Sequence, residues 1–359
     1  MIPWWQTSFD HGEDVAVSAA INSRHISQGT ITKNFEILLA DYLGVPEVIA
    51  TSSGTSALTL ALIASNIGPG DEVLVPNNSW IASGHAVQIL GATPVFVDTE
   101  ADLPIMQLSK LDRLITSATK AIMPVHMNGR SVDMAALNDF ASDKGLVVIE
   151  DSSQAFGSKD VNGKFLGTLS RFGCFSLSVA KIISTGQGGF IATKDLDLAN
   201  RLRKLRTHGI ENTIEPKKWV MPGFNFRFTD VLAAIGIVQL RLMEQRKNHL
   251  SKVYQHYYDG LSSQSNLRII PKKSYELGPY VDVLTPNRDA LRKHLSKYGI
   301  ETRPFYPELN SAPYWQARNT EILSNSKLFS NSGLYLPSGP AITESQIGEV
   351  TFAINKFVQ

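Results

Sequence analysis

A series of short runs, apolar at every position and set between helical stretches, constrains this chain most. Val48-Ile49-Ala50, Val73-Leu74-Val75, Pro94-Val95-Phe96-Val97, Ala121-Ile122-Met123-Pro124-Val125 and Leu146-Val147-Val148-Ile149 do not alternate with polar residues. Strands covered by helices on both faces read this way, because neither face meets water. Cys174 to Ser178 and Gly188 to Ala192 continue the series. The strand–helix order predicts an α/β fold with a mainly parallel sheet.

The helical stretches carry their own signals. Glu13 to about Leu43 reads as helix, broken at Ser27-Gln28-Gly29-Thr30. Phe35, Leu38, Leu39 and Tyr42 have amphipathic spacing, and Gly44 ends the run. Ser56 to Ala64 is a second helix, a charged helix begins near Asp195, and Arg227 to Glu244 is rich in Ala, Leu, Ile and Val. A less regular region with its own helices and strands follows and ends in Ile342 to Phe357. With 359 residues, two packed regions are expected. The boundary is drawn between a large domain, 1–240, and a small one, 241–359, with the N-terminal segment expected to pack on the latter.

Composition excludes several classes. The chain is 43% hydrophobic and 19% charged, an ordinary globular balance. A net charge of +1 provides no strong field for nucleic acid or an anionic membrane, so neither is an expected partner. A single cysteine, Cys174, rules out an internal disulfide. The start, MIPWWQTSFDHGED, lacks the basic and apolar regions of a signal peptide, and no apolar stretch is long enough to span a bilayer. Cytoplasmic location is the expectation.

Four segments carry chemistry. Ser52-Ser53-Gly54-Thr55-Ser56 lies between a strand and a helix, where free N–H groups and the helix dipole favour a phosphate; taken alone, plain N-capping by serine is the simpler account. Val148-Ile149-Glu150-Asp151 ends a strand in acids, at the sheet edge where ligands bind open α/β folds. A carboxylate there pairs with a protonated ring nitrogen or caps a helix. Lys181 follows a strand and precedes Ser184-Thr185-Gly186-Gln187-Gly188-Gly189, among small and apolar neighbours. Lysine so placed is a Schiff-base former, or a surface lysine beside a turn. Asn225 and Arg227 precede the apolar helix as a helix start or an anion site.

In this order and spacing the segments resemble the DegT/DnrJ/EryC1/StrS family of fold-type I sugar aminotransferases. Further pieces of the resemblance are Gly68-Pro69-Gly70-Asp71-Glu72-Val73, Gly91-Ala92-Thr93-Pro94-Val95, Pro124-Val125-His126, Arg206-Thr207-His208-Gly209 and Leu336-Pro337-Ser338-Gly339-Pro340. It covers nearly the whole chain. It implies a large domain with a mainly parallel seven-stranded sheet, a smaller C-terminal α+β domain, and pyridoxal 5'-phosphate as cofactor.

The resemblance also implies roles. Lys181 would carry the cofactor and shuttle a proton. Asp151 would pair with the pyridine nitrogen, and Gln154 would bond near the phenolic oxygen. Gly54, Thr55 and Ser176 would hold the phosphate, with Asn225 arriving from the second subunit of a homodimer. Trp80 would stack on the ring, unless it is a buried core tryptophan. The implied reaction moves an amino group from an amino acid, glutamate by family habit, to a keto-sugar, by default a nucleotide-linked keto-deoxyhexose. No metal is implied.

The chain departs from the family pattern at Met127-Asn128-Gly129-Arg130 and at Tyr306-Pro307-Glu308-Leu309-Asn310, both read as substrate walls. His126, Asn128, Arg303 and Tyr306 are the candidate substrate residues. Arg130 and Arg303 are either diphosphate contacts or solvated charges. Family members that act as dehydratases have histidine in place of the lysine, so Lys181 argues against that activity. Another reaction on the same cofactor, or a non-catalytic cofactor-binding regulator, are the competing readings. A dinucleotide-binding oxidoreductase would need Gly-x-Gly-x-x-Gly after the first strand, and Ser52-Ser53-Gly54-Thr55 stands there instead.

Overall fold

The computed structural model describes residues 1–24, 26–212, 215, 218–315 and 323–358. Its centre is a seven-stranded sheet: β1 (Glu47–Thr51), β2 (Glu72–Pro76), β3 (Thr93–Val97), β4 (Thr119–Ile122), β5 (Val147–Asp151), β6 (Phe172–Ser176) and β7 (Gly189–Thr193). The order is β1-β7-β6-β5-β4-β2-β3. Only β7 runs against its neighbours, β1 and β6. All other pairs are parallel.

The unbroken apolar runs are explained by burial on two faces. Val73 and Val75 point into a core shared with Ala57, Leu60 and Leu202, while Leu74, between them, joins Val95, Ile122 and Leu137 on the other side. The run at 121–125 makes a shorter strand than its apolarity suggests. β4 stops at Ile122, and Pro124, which has no N–H to donate, follows. Val125 regains a single bridge to Asp151.

Caps place the helices. Ser53 accepts from Ser56 N to start Gly54–Ala64, and Asp195 accepts from Leu198 N to start Leu196–Arg206. Gly44 closes Thr30–Leu43 in the left-handed conformation. The apolar helix expected over 227–244 is shorter: Asp230–Arg241, capped by Thr229, then a break at Leu242 and a new helix, Met243–Leu261.

A second, antiparallel sheet consists of β8 (Arg268–Ile269), β9 (Val281–Leu284), β10 (Arg303–Pro304) and β11 (Gly333–Leu336), in the order β10-β11-β9-β8. Val281, Val283, Leu334 and Leu336 pack with Val253 and Tyr257, and with Val350 and Ile354 of the helix Glu344–Val358. That packing supports the boundary near 240, which we retain as a proposal. The two halves are tied by a buried ion pair. Arg130, fully buried, grips Asp282 with two 2.7 Å bonds and also donates to Ile270 O and Pro271 O. Arg130 is therefore neither a solvated charge nor a diphosphate contact.

Candidate active site

The carboxyl ends of β1, β2, β5 and β6 open onto one cavity of about 380 Å³, whose walls include Gly54, Thr55, Trp80, Asp151, Gln154, Ser176 and Lys181. Residues separated by over a hundred positions meet there because parallel strands deliver their ends to the same edge. Arg303 and Tyr306, from β10 and the chain after it, close the opposite side.

Asp151, the last residue of β5, is buried. Ser83 Oγ donates to its Oδ2 at 2.8 Å, and Ser153 N donates to its Oδ1 at 3.1 Å. The backbone is pinned as well: Asp151 N donates to Pro124 O, and His126 N donates to Asp151 O. A carboxylate held this firmly presents a fixed negative charge to the cavity.

Lys181 lies on the wall, partly screened from water. Desolvation lowers its pKa from 10.5 to about 8, Arg303 pushes in the same direction, and the Asp151 charge opposes both. Near neutrality about a tenth of this amine is therefore unprotonated, far more than of an ordinary lysine, and that share can act as a nucleophile or base.

Gly54 opens the helix at the cavity. A Cβ there would come 2.9 Å from Ser176 Cβ and 3.4 Å from Phe175 O, so the close approach of helix and β6 excludes any side chain. The first N–H groups of a helix have no intrahelical acceptor. With Thr55, Ser176 and Ser178 on the wall, this end suits a phosphate. Gln154 Oε1 accepts from Asn128 N at 3.0 Å, which leaves Nε2 as the donor for a cavity ligand. Trp80 is half exposed on the cavity, not buried in the core, and meets Tyr306 edge-on at 5.1 Å.

Three sequence-based assignments stand elsewhere. His126 is fully buried away from the cavity; it bonds Glu150 at 3.0 Å, and Val132 N donates to its Nδ1. Glu150 also accepts from Gly167 N, Leu169 N and Ser170 N, so the pair braces the carboxyl end of β5 from behind the cavity. Asn128 is buried too, exchanging both amide bonds with the backbone of Tyr280. Neither side chain reaches a substrate, because both are used up in closing internal backbone. Asn225 does not line the cavity of its own chain. It is exposed and accepts from Arg227 Nε at 2.9 Å.

Sequence reasoning missed Ser83 and Tyr280. Ser83 comes from the short helix Ala82–Gln88 and reaches Asp151 only because β2 and β5 flank β4 in the sheet. Tyr280 OH donates to Ala180 O at 2.6 Å, beside Lys181. No local pattern marks either residue.

Fixed carboxylate, depressed lysine, anion-binding helix end and exposed aromatic face fit the donor set that pyridoxal phosphate requires. Comparison with known proteins agrees. The chain is 37% identical to GDP-perosamine synthase of Caulobacter vibrioides, over 92% of this chain and 91% of that protein. S. venezuelae DesV, solved in complex with a ketimine intermediate, superposes with a TM-score of 0.92 at 31% identity, covering 97% of this chain and 94% of that one. NtdA from Bacillus subtilis, solved with bound cofactor PMP, superposes with a TM-score of 0.90 at 26% identity, covering 98% and 83%. A profile of the DegT/DnrJ/EryC1/StrS aminotransferase family matches residues 8–355. The chain belongs to the DegT/DnrJ/EryC1/StrS family of pyridoxal-phosphate-dependent aminotransferases, of fold-type I.

Proposed function

We propose that this enzyme moves an amino group from an amino acid, with glutamate as donor, to a nucleotide-linked keto-deoxyhexose in amino-sugar biosynthesis. The observation that carries the reading is the pairing, in one cavity, of a lysine lowered to about 8 with a buried, doubly bonded Asp151. The nucleotide-linked acceptor is supported by the likeness to a GDP-perosamine synthase.

Pyridoxal phosphate, when bound, supplies an electron sink for the carbon that loses and regains a proton. The chain does the rest. Gly54, Thr55 and Ser176 hold the phosphate. Asp151 would keep a proton on the ring nitrogen, and Gln154 Nε2 would donate to the phenolic oxygen. Lys181 Nζ would hold the cofactor and, when free, would serve as the base that moves a proton at the substrate carbon. Trp80 covers a ring face and keeps water out. Arg303, beside Tyr306, meets the acceptor's anionic group. Asn225 completes the phosphate site of the second protomer of a homodimer.

Purified protein is expected to be yellow, borohydride to fix the cofactor on Lys181, and glutamate to aminate a member of a panel of nucleotide-linked keto-hexoses. A colourless protein that gains no absorbance with added pyridoxal phosphate would overturn the reading. Cofactor binding without transfer to any acceptor would favour the regulator. Loss or rearrangement of an amino-acid substrate without transfer would favour another reaction.

A further inference from the structure

Two backbone carbonyls next to Lys181 are held by side chains from distant segments. Val179 O accepts from Trp5 Nε1 at 2.8 Å and Thr7 Oγ1 at 2.9 Å. The Trp5 N–H is shared, since Thr7 Oγ1 also lies 2.9 Å from it. Ala180 O accepts from Tyr280 OH, and the Trp5 ring meets Tyr280 edge-on at 5.3 Å. One residue further back, the Trp4 ring lies 4.9 Å from the Arg303 guanidinium carbon, on which Trp80 and Tyr306 also bear at 5.5 and 5.2 Å.

The segment that carries these residues has a dock of its own. Ile2 N donates to Gly299 O and Glu301 N donates back to Ile2 O. Ser338 N donates to Trp4 O, and Gln6 N donates to Ser338 O. Gly339, at φ +119°, lies where a Cβ would come 2.5 Å from Gln6 O and 2.8 Å from Gln6 N. The glycine of Leu336-Pro337-Ser338-Gly339-Pro340 thus gives the N-terminal segment room to lie against the end of β11. Trp4, Trp5 and Thr7 do not line the cavity, yet their contacts converge on the lysine loop and the cavity's arginine.

We propose that Trp4, Trp5 and Thr7 form a positioning strap, docked over Gly339, that fixes the Lys181 loop at one end and the Arg303 guanidinium at the other. The proposal rests on Lys181 as the cofactor lysine. Trp5 and Thr7 touch neither cofactor nor substrate; they act through the Val179 carbonyl. Trp4 acts through Arg303. Releasing Val179 lets the loop move outward and admits water to Lys181, and the lysine's proton affinity returns toward that of an ordinary lysine, since desolvation is what depresses it.

The test uses the full chain freed of cofactor. Acetylation of Lys181 by acetic anhydride is followed across pH by peptide mass spectrometry, with exposed Lys120 as internal control. In Trp5→Phe/Thr7→Val the Lys181 midpoint is expected to rise by about one pH unit, with Lys120 unmoved. Gly339→Ala, which adds one methyl far from Lys181, is expected to shift it in the same direction. Combined with Trp5→Phe/Thr7→Val it should add nothing, because both act through one strap. Trp4→Ala is expected to raise KM for the nucleotide-sugar several-fold and to move the Lys181 midpoint less than Trp5→Phe/Thr7→Val does, since it touches the lysine only through the Arg303 charge. Thr7→Val alone provides a milder variant should the double one fold poorly. An unchanged midpoint in Thr7→Val and Gly339→Ala, or full additivity in the combination, overturns the proposal. The labelling requires neither cofactor nor turnover, so its result stands apart from whether the acceptor is a nucleotide-sugar.

Discussion

Ser83 Oγ donates to Asp151 Oδ2 across 2.8 Å, joining the helix after the Trp80 loop to the end of β5. The serine is fully buried and the carboxylate nearly so. Hydrogen bonds to a buried charge contribute about 1.5–3 kcal/mol. Ser83→Ala is expected to weaken cofactor affinity about tenfold or more while leaving the fold intact, measured by absorbance titration of the cofactor-free protein. Undiminished affinity would show that Asp151 is oriented by Ser153 N alone.

The lysine has a signature that needs no substrate. Its folded pKa is depressed to about 8. Below that pH the amine is charged both folded and unfolded, and the folded state carries the full desolvation penalty. Between about 8 and the ordinary lysine value only the unfolded chain holds the proton, so stability rises with pH; above that range the penalty is gone. Lys181→Met is therefore expected to stabilise the cofactor-free chain at pH 7. The advantage should shrink through that window, and thermal melts across pH check it.

At Gly54 the steric argument is local. An added methyl would meet Ser176 Cβ at 2.9 Å and push the helix start off β6. Gly54→Ala is expected to lower cofactor affinity by about a factor of ten or more, with pyridoxal, which lacks the phosphate, affected far less. Equal losses for both ligands would remove the phosphate role from this helix end.

Arg303 is held against three aromatic rings, a flat packing that a lysine ammonium does not reproduce. Arg303→Lys is expected to raise KM for the acceptor about tenfold with kcat changed less. Steady-state kinetics in both half-reactions separates acceptor from donor, and a change confined to the donor would move the arginine to the amino-acid carboxylate.

The proposal that Asn225 completes the neighbouring protomer's site has a complementation test. Dimers mixed from Lys181→Ala and Asn225→Ala protomers retain one intact site if Asn225 serves the neighbouring chain. The mixture is expected to regain activity that neither parent has. If Asn225 acts within its own chain, no intact site forms in that way and the mixture stays at the parental level.

Arg130–Asp282 lies between the two halves, fully buried and bidentate. Asp282→Ala leaves an uncompensated guanidinium in the interior, which costs about 3–5 kcal/mol. The variant is expected to unfold at markedly lower denaturant concentration.

Much of the sheet and half of the site were legible along the chain. Continuous apolar runs report burial on both faces, and that pattern is local to each strand. Asp151 and Gly54 were legible because one ends a strand and the other begins a helix, and strand ends in a parallel sheet share one edge; Lys181 was legible as the lysine of the small-residue loop between β6 and β7. The early stop of β4 was not foreseen, although Pro124 lies within the run read as strand. Contacts between distant segments were not legible. Arg130 and Asp282 are 152 positions apart, and Trp5 and Val179 are 174 apart. No local pattern distinguishes an arginine bound for a buried carboxylate from one facing a ligand. His126 and Asn128 likewise follow a strand that points at the cavity, yet their side chains turn inward to Glu150 and Tyr280. By itself, the sequence determined the layers, the edge and the lysine that lines the cavity there, because secondary-structure periodicity and element termini are properties of neighbours in the chain. The tertiary structure alone decided which polar groups brace that lysine and which meet a substrate, because that depends on where separate segments come together.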